Sequence, residues 1–241
     1  NSLTKESYYE GLTSYPAARC VRILNPLSAD LNVMRQTLLF NTMEAVQLNA
    51  NRRNGNLRLY EFGNCYFYDE AARDAEKPLS AYSEQYRLAI AVTGAAVPQS
   101  WNAKPQASSF FTLRAVAEKL LRRFGLDIYA LKCEPLQSDL FGDGISLSAG
   151  NGRELLQMGV VAPRIRRAFD LKQEVYYLEM NFDALVKSTR KHRIAFEELS
   201  KFPEVKRDLA LLVDRQVTFA QLRAIALATE RKLLKSVSLF D

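Results

Sequence analysis

The chain has 241 residues, of which 48% are hydrophobic and 25% charged, and its formal net charge is +6. This size and balance allow a sizeable core in one or two domains and exclude intrinsic disorder, because disordered chains are poor in apolar residues. No apolar run approaches the roughly 18 residues that a membrane span needs, and residues 1–10 lack the apolar segment of a signal peptide, so we expect a cytoplasmic protein without a membrane partner.

The reactive side chains indicate neither a metal centre nor a catalytic triad. The three cysteines, Cys20, Cys65 and Cys133, are widely spaced, and the single histidine, His192, lies in a basic segment. Metal sites need ligands at short, regular spacing, and disulfide frameworks need several paired cysteines. We therefore predict no metal site and no disulfide. The positive net charge is compatible with a polyanion partner but does not identify one.

The N-terminal part predicts a strand, a turn and one long helix. The strand covers 18–24 and ends at an Asn-Pro turn at 25–26. Ser28 is a suitable N-cap, apolar residues then recur at helical spacing, and Gly55 ends the helix. This interpretation places Arg35 on the helix.

The next segment predicts two strands joined by a polar loop. The first strand covers 57–68 and carries large side chains on both faces, so we expect it to be buried on both sides. A loop at 69–84 leads to a second strand at 87–93. A further loop at 95–109 contains the single tryptophan, Trp101.

The rest of this part predicts a mixture of short strands and helices. A helix is predicted at 110–124, with Phe111 on its inward face. Weaker strands are predicted at 129–133, 146–148, 155–161 and 175–181, with a short helix at 163–169. The glycines at 141–144 and 150–152 indicate turns, because they lack the spacing of a phosphate-binding loop. Many strands with few crossover helices predict an α+β fold, a largely antiparallel sheet flanked by helices.

The character of the sequence changes at a basic linker near 189–201. We place a domain boundary there, with one domain at 1–191 and another at 192–241. The second domain predicts a strand at 207–213, a helix at 219–233 capped by Thr218, and a strand starting at 237. Strand, helix and strand are the opening half of a ferredoxin-like βαβ unit, which we expect to be truncated because about forty residues form a poor core alone.

Arg35 and Glu61 form one candidate pair, because each is a charged residue among apolar neighbours. A buried charge without a partner is too costly, so each needs one. One interpretation is that they pair with each other or with the backbone. The other is that they are remnants of a ligand-contacting site.

Two further groups carry functional alternatives. Trp101, Phe110 and Phe111 either pack into the core or anchor a subunit interface, where tryptophan is enriched. Lys206 and Arg207 either contact RNA phosphates or form an ordinary ion pair at the start of a strand.

Several short motifs occur in an order and spacing that resemble the beta subunit of bacterial phenylalanyl-tRNA synthetase. They are Asn25-Pro26-Leu27-Ser28, Met34-Arg35-Gln36-Thr37-Leu38-Leu39, Glu61-Phe62-Gly63, Ser100-Trp101, Phe110-Phe111-Thr112-Leu113-Arg114, Gly159 with Pro163, Phe202-Pro203 and Arg207-Asp208-Leu209-Ala210. The family pattern is hard to follow at 139–152. The chain starts without methionine, and we expect it to be the C-terminal part of such a subunit.

The resemblance implies a class II synthetase-like core that does not perform the chemistry, followed by an anticodon-binding domain. It implies an α2β2 phenylalanine-tRNA ligase with an alpha subunit, tRNA(Phe), ATP and magnesium, none of the cofactors being bound by this chain. Class II chemistry needs an arginine that holds ATP phosphate, and the strand after Gly63 has none. The alternatives are a catalytically active class II ligase domain and a module that binds RNA or an amino acid.

Overall fold

In a computed structural model of the chain, residues 2–190, 196 and 201–240 are described. The chain divides into two compact units, Asn1–His192 and Arg193–Asp241. The predicted domain boundary between residues 191 and 192 and the basic histidine His192 lie outside the described residues.

The N-terminal part forms a small antiparallel sheet instead of the long predicted helix. Its strands are β1 (Leu3–Thr4), β2 (Val21–Arg22) and β3 (Val33–Met34), in the order β1-β3-β2. The predicted strand at 18–24 is therefore shorter than expected. The predicted helix is wrong over its first half, because β3 occupies it and Arg35 follows β3 outside any regular element. The spacing of apolar residues alone could not show that this stretch contains a short strand followed by a separate helix.

The helices of the chain are α1 (Leu39–Asn51), α2 (Phe110–Arg123), α3 (Pro163–Ala168), α4 (Phe182–Thr189) and α5 (Phe219–Thr229). The remaining strands are β4 (Leu57–Tyr68), β5 (Tyr82–Thr93), β6 (Ala95–Val97), β7 (Gln106–Ala107), β8 (Lys132–Pro135), β9 (Phe141–Ser148), β10 (Glu154–Val161) and β11 (Val175–Asn181). Helix α4, which the sequence reasoning missed, begins where the Asn181 side chain accepts a hydrogen bond from the Ala184 amide.

Six strands form the main sheet of the first unit in the order β4-β5-β11-β10-β9-β8, and every neighbouring pair is antiparallel. One face packs against α1 and the N-terminal segment, and the other packs against α2 and α4. The predicted α+β class with a flanked antiparallel sheet is confirmed. Both edges of the sheet lie within this unit, with the twelve-residue strand β4 at one edge and the four-residue strand β8 at the other.

Two details of this sheet differ from the predictions. The glycine-containing segment 141–144 was expected to be a turn but is the first half of β9, because Gly144 faces Gly159 of β10 across the ladder. Strand β4 was expected to be buried on both sides, but Tyr60 and Phe62 on its outer side are exposed because α2 covers only the more central strands.

Helix α2 also turns a different side to the core than predicted. Leu113, Ala117 and Leu121 are buried, whereas Phe111 is exposed. The buried positions follow the i, i+4 rows of a helix whose Ser109 N-cap fixes where the first turn begins.

In the second unit, α5 is the one regular element among residues 201–240. It begins at a capping box in which the Thr218 side chain accepts from the Gln221 amide, which matches the predicted cap. The predicted strands at 207–213 and from 237 do not form, and α5 ends at Thr229 rather than 233. A strand needs a neighbour to pair its backbone groups, and none of the described residues supplies one. Among the described residues, no helix combines the length and apolarity that crossing a membrane requires.

Candidate subunit interface

Arg35 and Glu61 meet on the buried face of the sheet. The Arg35 Nη1 atom donates to Glu61 Oε1 at 2.5 Å, and the Arg35 Nε atom donates to the carbonyl of Asn64 at 3.0 Å. The guanidinium lies directly on Gly63, where an added Cβ would be 1.9 Å from Arg35 Nη2. Gly63 is therefore glycine because the arginine occupies the space above it. The contact is structural: it joins the segment after β3 to the edge strand β4.

A second ion pair, absent from the sequence predictions, lies two strands further into the same face. Glu179 of β11 accepts a hydrogen bond from Arg87 Nη1 of β5. The same carboxylate accepts from Thr37 Oγ1 at 2.6 Å and from the Leu38 amide at 3.1 Å, at the start of α1. The hydroxyl of Tyr177 donates to it as well. Glu179 thus acts as a cap for α1 supplied by a strand about 140 residues away.

The Arg87 guanidinium has several further partners besides Glu179. Its guanidinium donates to the hydroxyl of Tyr15 at 2.9 Å and to the side chain of Gln85 at 2.8 Å. It also lies over the rings of Tyr15 and Phe67, with its Cζ atom 5.8 and 5.3 Å from their centroids. An arginine with this many partners cannot turn toward a phosphate without breaking the core.

The signal for this network was present in the sequence. Arg87 begins an apolar strand and Glu179 interrupts another, and a charge inside a buried strand requires a partner. What the sequence could not supply was the register, which places Glu61, Ala89 and Glu179 in one row across β4, β5 and β11.

Burial gives several groups around this network unusual acidities. Burial, followed by the charge of Glu179, raises the pKa of Tyr177 well above its ordinary value. Burial likewise raises the pKa of Tyr9 and of the Cys65 thiol. For Tyr15, burial outweighs the opposing effect of Arg87 and raises the pKa to about 12. These groups stay neutral at physiological pH, so Cys65 is an inert core thiol and no candidate nucleophile.

These shifts predict a specific alkaline unfolding. A pKa raised in the folded state stabilises the protein fully below the unfolded value, which is about 10 for tyrosine, and this stability is lost as the pH rises above it. We expect the buried tyrosines to stay silent in the 295 nm absorbance titration until the chain unfolds above about pH 10, and then to ionise together with the loss of circular dichroism. Gradual ionisation of all eleven tyrosines with unchanged circular dichroism would contradict this.

No described part of the chain has the features of an active site. Among the described residues, no group of three or more histidine, cysteine, aspartate or glutamate side chains could hold a metal ion. A surface depression with a volume of about 460 Å³ is lined by α3 and the loop after it, including Arg166, Arg167 and Lys172. It lies away from the buried ion pairs. The sheet face that carries Arg35 and Arg87 is filled by α1 and the N-terminal segment.

The other face of the sheet leaves a strip of aromatic side chains uncovered at edge strand β4. We call Tyr60, Phe62 and Tyr86 the aromatic strip. Tyr60 is 75% exposed, and Phe62 stacks on Tyr86 with the ring centroids 6.0 Å apart. Phe182 of α4 borders the strip and contacts both of these rings edge-on. The strip therefore has a fixed shape and is accessible.

The backbone beside the strip is open too. The outer edge of β4 is covered in its second half, where the Tyr66 amide donates to the carbonyl of Arg35 at 2.8 Å and the Asn64 carbonyl accepts from Arg35 Nε at 3.0 Å. No described residue outside β5 hydrogen-bonds to the backbone of Tyr60 or Phe62. Long apolar edge strands invite pairing and are normally protected. The opposite edge, β8, is short, charged and ends at Pro135, so only the β4 edge has the character of an interface.

The other sequence candidates are scattered. Trp101 is 97% exposed in the loop between β6 and β7, and Phe111 is 73% exposed at the start of α2. Packing of these two residues into the core is therefore wrong, whereas Phe110 does pack partly against the core. Lys206 and Arg207 are exposed in a segment without regular structure, so the strand expected to present them is absent. Their contact with RNA stays a prediction.

The comparisons with known proteins agree across the chain. Residues 1–182 match the family described as the phenylalanyl tRNA synthetase beta chain CLM domain, and residues 200–241 match the ferredoxin-fold anticodon binding domain. Phenylalanine–tRNA ligase beta subunits of Bacteroides fragilis, Bacteroides thetaiotaomicron and Porphyromonas gingivalis are 47%, 48% and 41% identical over all 241 residues. The chain spans about 29% of the length of these relatives.

Among solved structures, the chain is similar to a pyrrolysyl tRNA synthetase from Desulfitobacterium hafniense. The TM-score is 0.55 at 15% sequence identity, covering 78% of this chain and 60% of that one. A likeness at this identity shows only that the two chains share a fold.

Proposed function

Because the chain belongs to the phenylalanyl-tRNA synthetase beta chain family, we propose that it is a non-catalytic part of a phenylalanine-tRNA ligase that docks on the alpha subunit. The observation that carries this is the aromatic strip beside an unpaired edge of β4. Contiguous exposed apolar surface on a soluble protein marks an interaction site. An edge strand with aromatic side chains offers a partner both backbone hydrogen bonds and buried area.

The complete ligase would be an α2β2 assembly in the cytoplasm that uses ATP and magnesium to join phenylalanine to tRNA(Phe). ATP and magnesium do not fit the described residues of this chain. Arg87 of the sheet and Arg35 beside it are the two arginines on its buried face, and they already hold the carboxylates of Glu179 and Glu61. Both cofactors would belong to the alpha subunit, and the second unit, with Lys206 and Arg207, would contribute to gripping the tRNA.

Association with a phenylalanyl-tRNA synthetase alpha subunit tests the proposal directly. We expect the two chains to elute together in size-exclusion chromatography at equal stoichiometry. Replacing Tyr60 and Phe62 by serine should weaken the association by about thirtyfold or more, because even one aromatic anchor at the centre of an interface contributes about 2 kcal/mol or more. Leu79→Ser, which removes a 78% exposed leucine outside the strip, is the control and should bind like the unaltered chain.

The absence of catalysis needs its own measurement. We expect no phenylalanine-dependent exchange of pyrophosphate into ATP with this chain alone, because β4 carries no arginine after Gly63 that could hold ATP phosphate. Exchange by the lone chain would instead support an active class II ligase domain. Equal association of the strip variant and the Leu79 control would place the alpha subunit elsewhere on the surface.

A further inference from the structure

One end of the first unit gathers basic residues around Gly55. At this end β4 and β11 begin and β5 ends, since Leu57, Thr93 and Val175 pair in one row. The carbonyl of Gly55 accepts a hydrogen bond from Gln173 at 3.1 Å. A Cβ at Gly94 would lie 2.3 Å from the same carbonyl. The end of α1, the loop before β11 and the start of the β6–β7 hairpin therefore meet at Gly55.

Exposed cations lie on the segments that meet at this junction or lead into it. They are Arg52, Arg53, Arg58, Lys104, Arg167 and Lys172. The nearby carboxylates are Asp170 and Glu174, and Glu174 already accepts a hydrogen bond from Tyr176. No described carboxylate forms an ion pair with Arg53, Lys104 or Lys172. We call this surface the basic end.

The opposite end of the sheet has the reverse charge. The connection between β4 and β5 carries Asp69, Glu70, Asp74 and Glu76 against Arg73 and Lys77. The net charge of +6 is thus unevenly distributed. A concentrated positive surface attracts polyanions and orients their approach.

Trp101 lies in the β6–β7 hairpin, which begins at the basic end and is fixed there by hydrogen bonds. The Asn56 side chain accepts from the Ala95 amide at 2.7 Å, and Arg58 donates to the Ala96 carbonyl at 2.7 Å. At the tip, the Ser100 amide donates to the Ala103 carbonyl at 3.2 Å. No described ring packs on Trp101, which is 97% exposed. A large apolar side chain held in water on an ordered turn is pre-organised for a partner.

We propose that the basic end binds the phosphate backbone of RNA while Trp101 stacks on an unpaired base. Cations that follow a backbone, combined with an aromatic platform, are the arrangement by which proteins bind single-stranded nucleic acid. The choice of RNA over another polyanion rests on the proposed function in tRNA aminoacylation. The site is separate from the residues that match the anticodon-binding domain, 200–241.

The cations are tested by charge reversal at matched positions. Binding of a labelled tRNA(Phe) transcript is measured by fluorescence anisotropy. The double variant Arg53→Glu with Lys172→Glu should bind at least about tenfold more weakly. Its plot of log K against log salt concentration should be less steep by about 1.4, or ~0.7 for each lost phosphate contact. Arg73→Glu with Lys77→Glu makes the same charge change at the opposite end and should leave both quantities near those of the unaltered chain.

The contribution of Trp101 is tested by removing or replacing its aromatic ring. Trp101→Ala should weaken binding of the transcript at least about fivefold, with an unchanged salt slope, because stacking is lost and no phosphate contact is. Trp101→Tyr should restore most of the affinity, since another aromatic ring can still stack. Thermal unfolding of each variant establishes that the fold is retained.

Three outcomes would overturn the proposal. They are no binding of the transcript by the unaltered chain, equal losses for the two charge-reversed pairs, and no effect of Trp101→Ala on RNA binding. If Trp101→Ala instead weakens association with the alpha subunit, the hairpin is a protein anchor. Failure of the strip variant to affect that association would overturn the proposed docking surface and leave the RNA site standing, so the two failures are distinguishable.

Discussion

Replacing Glu179 by alanine is expected to lower the free energy of unfolding by about 3–5 kcal/mol, because removing one partner of a buried ion pair leaves the other charge uncompensated. Arg87 would keep its charge inside the core, and the start of α1 would lose the acceptor for Thr37 and Leu38. Urea unfolding followed by circular dichroism measures the change.

Glu179→Gln separates charge from hydrogen bonding at this position. The amide oxygen can still accept from Leu38 or Thr37, but the charge that compensates Arg87 is gone, so we expect an intermediate loss. The matched control is Glu134→Gln on β8, where an exposed glutamate pairs with Lys132 at 2.8 Å. Exposed pairs contribute about 0–1 kcal/mol. If Glu179→Gln were as mild as this control, the network would not stabilise the fold.

A buried pair also allows a test of what the charges contribute. Replacing Arg87 and Glu179 together by apolar residues of similar size should be less harmful than Glu179→Ala alone, because no unpaired charge remains. The double replacement should still cost stability, since the cap on α1 and the partners of Tyr15 and Tyr177 are lost. The difference between the free energies of unfolding of Glu179→Ala and of the double replacement measures how much stability is lost because Arg87 keeps an unpaired charge.

The sequence predicted the strands with strong local signals and failed where partners are distant. Strands β4 and β11 have the predicted bounds because aromatic and other apolar residues make up most of both strands. The long helix was wrong because its first half contains β3, which pairs with β1 and β2. No local pattern reveals pairing across thirty residues of chain.

The candidate site was predicted unevenly for the same reason. Arg35 and Glu61 could be selected because a charge among apolar neighbours needs a partner, and the structure joins them. Trp101 was weighed as a core residue because tryptophan is usually buried, yet its hairpin holds it in water. The aromatic strip could not be predicted, because exposure of Tyr60 and Phe62 depends on how far α2 extends over the sheet. The spacing of apolar residues in the sequence does not contain this information about packing.

Gly159→Ala is expected to lower the free energy of unfolding by about 1–3 kcal/mol or more, as an overpacked core position does. Gly159 of β10 lies directly opposite Gly144 of β9. An added Cβ would be 2.2 Å from the carbonyl oxygen of Asp143 and 2.8 Å from the Cα atom of Gly144. Both contacts are with backbone, so no change of rotamer can relieve them and the two strands must separate.

Gly150→Ala is the matched control, because no atom lies within 4 Å of the Cβ that it would add. With no clash, this substitution should be neutral or slightly stabilising, by up to about 1 kcal/mol, since alanine restricts the unfolded chain more than glycine does. Urea unfolding of the two variants compares a glycine-to-alanine substitution between two paired strands with the same substitution in a turn. Equal stability of the two would mean that β9 and β10 do not approach as closely as the paired glycines require. A large difference would show that Gly159 is needed for the close pairing of β9 and β10.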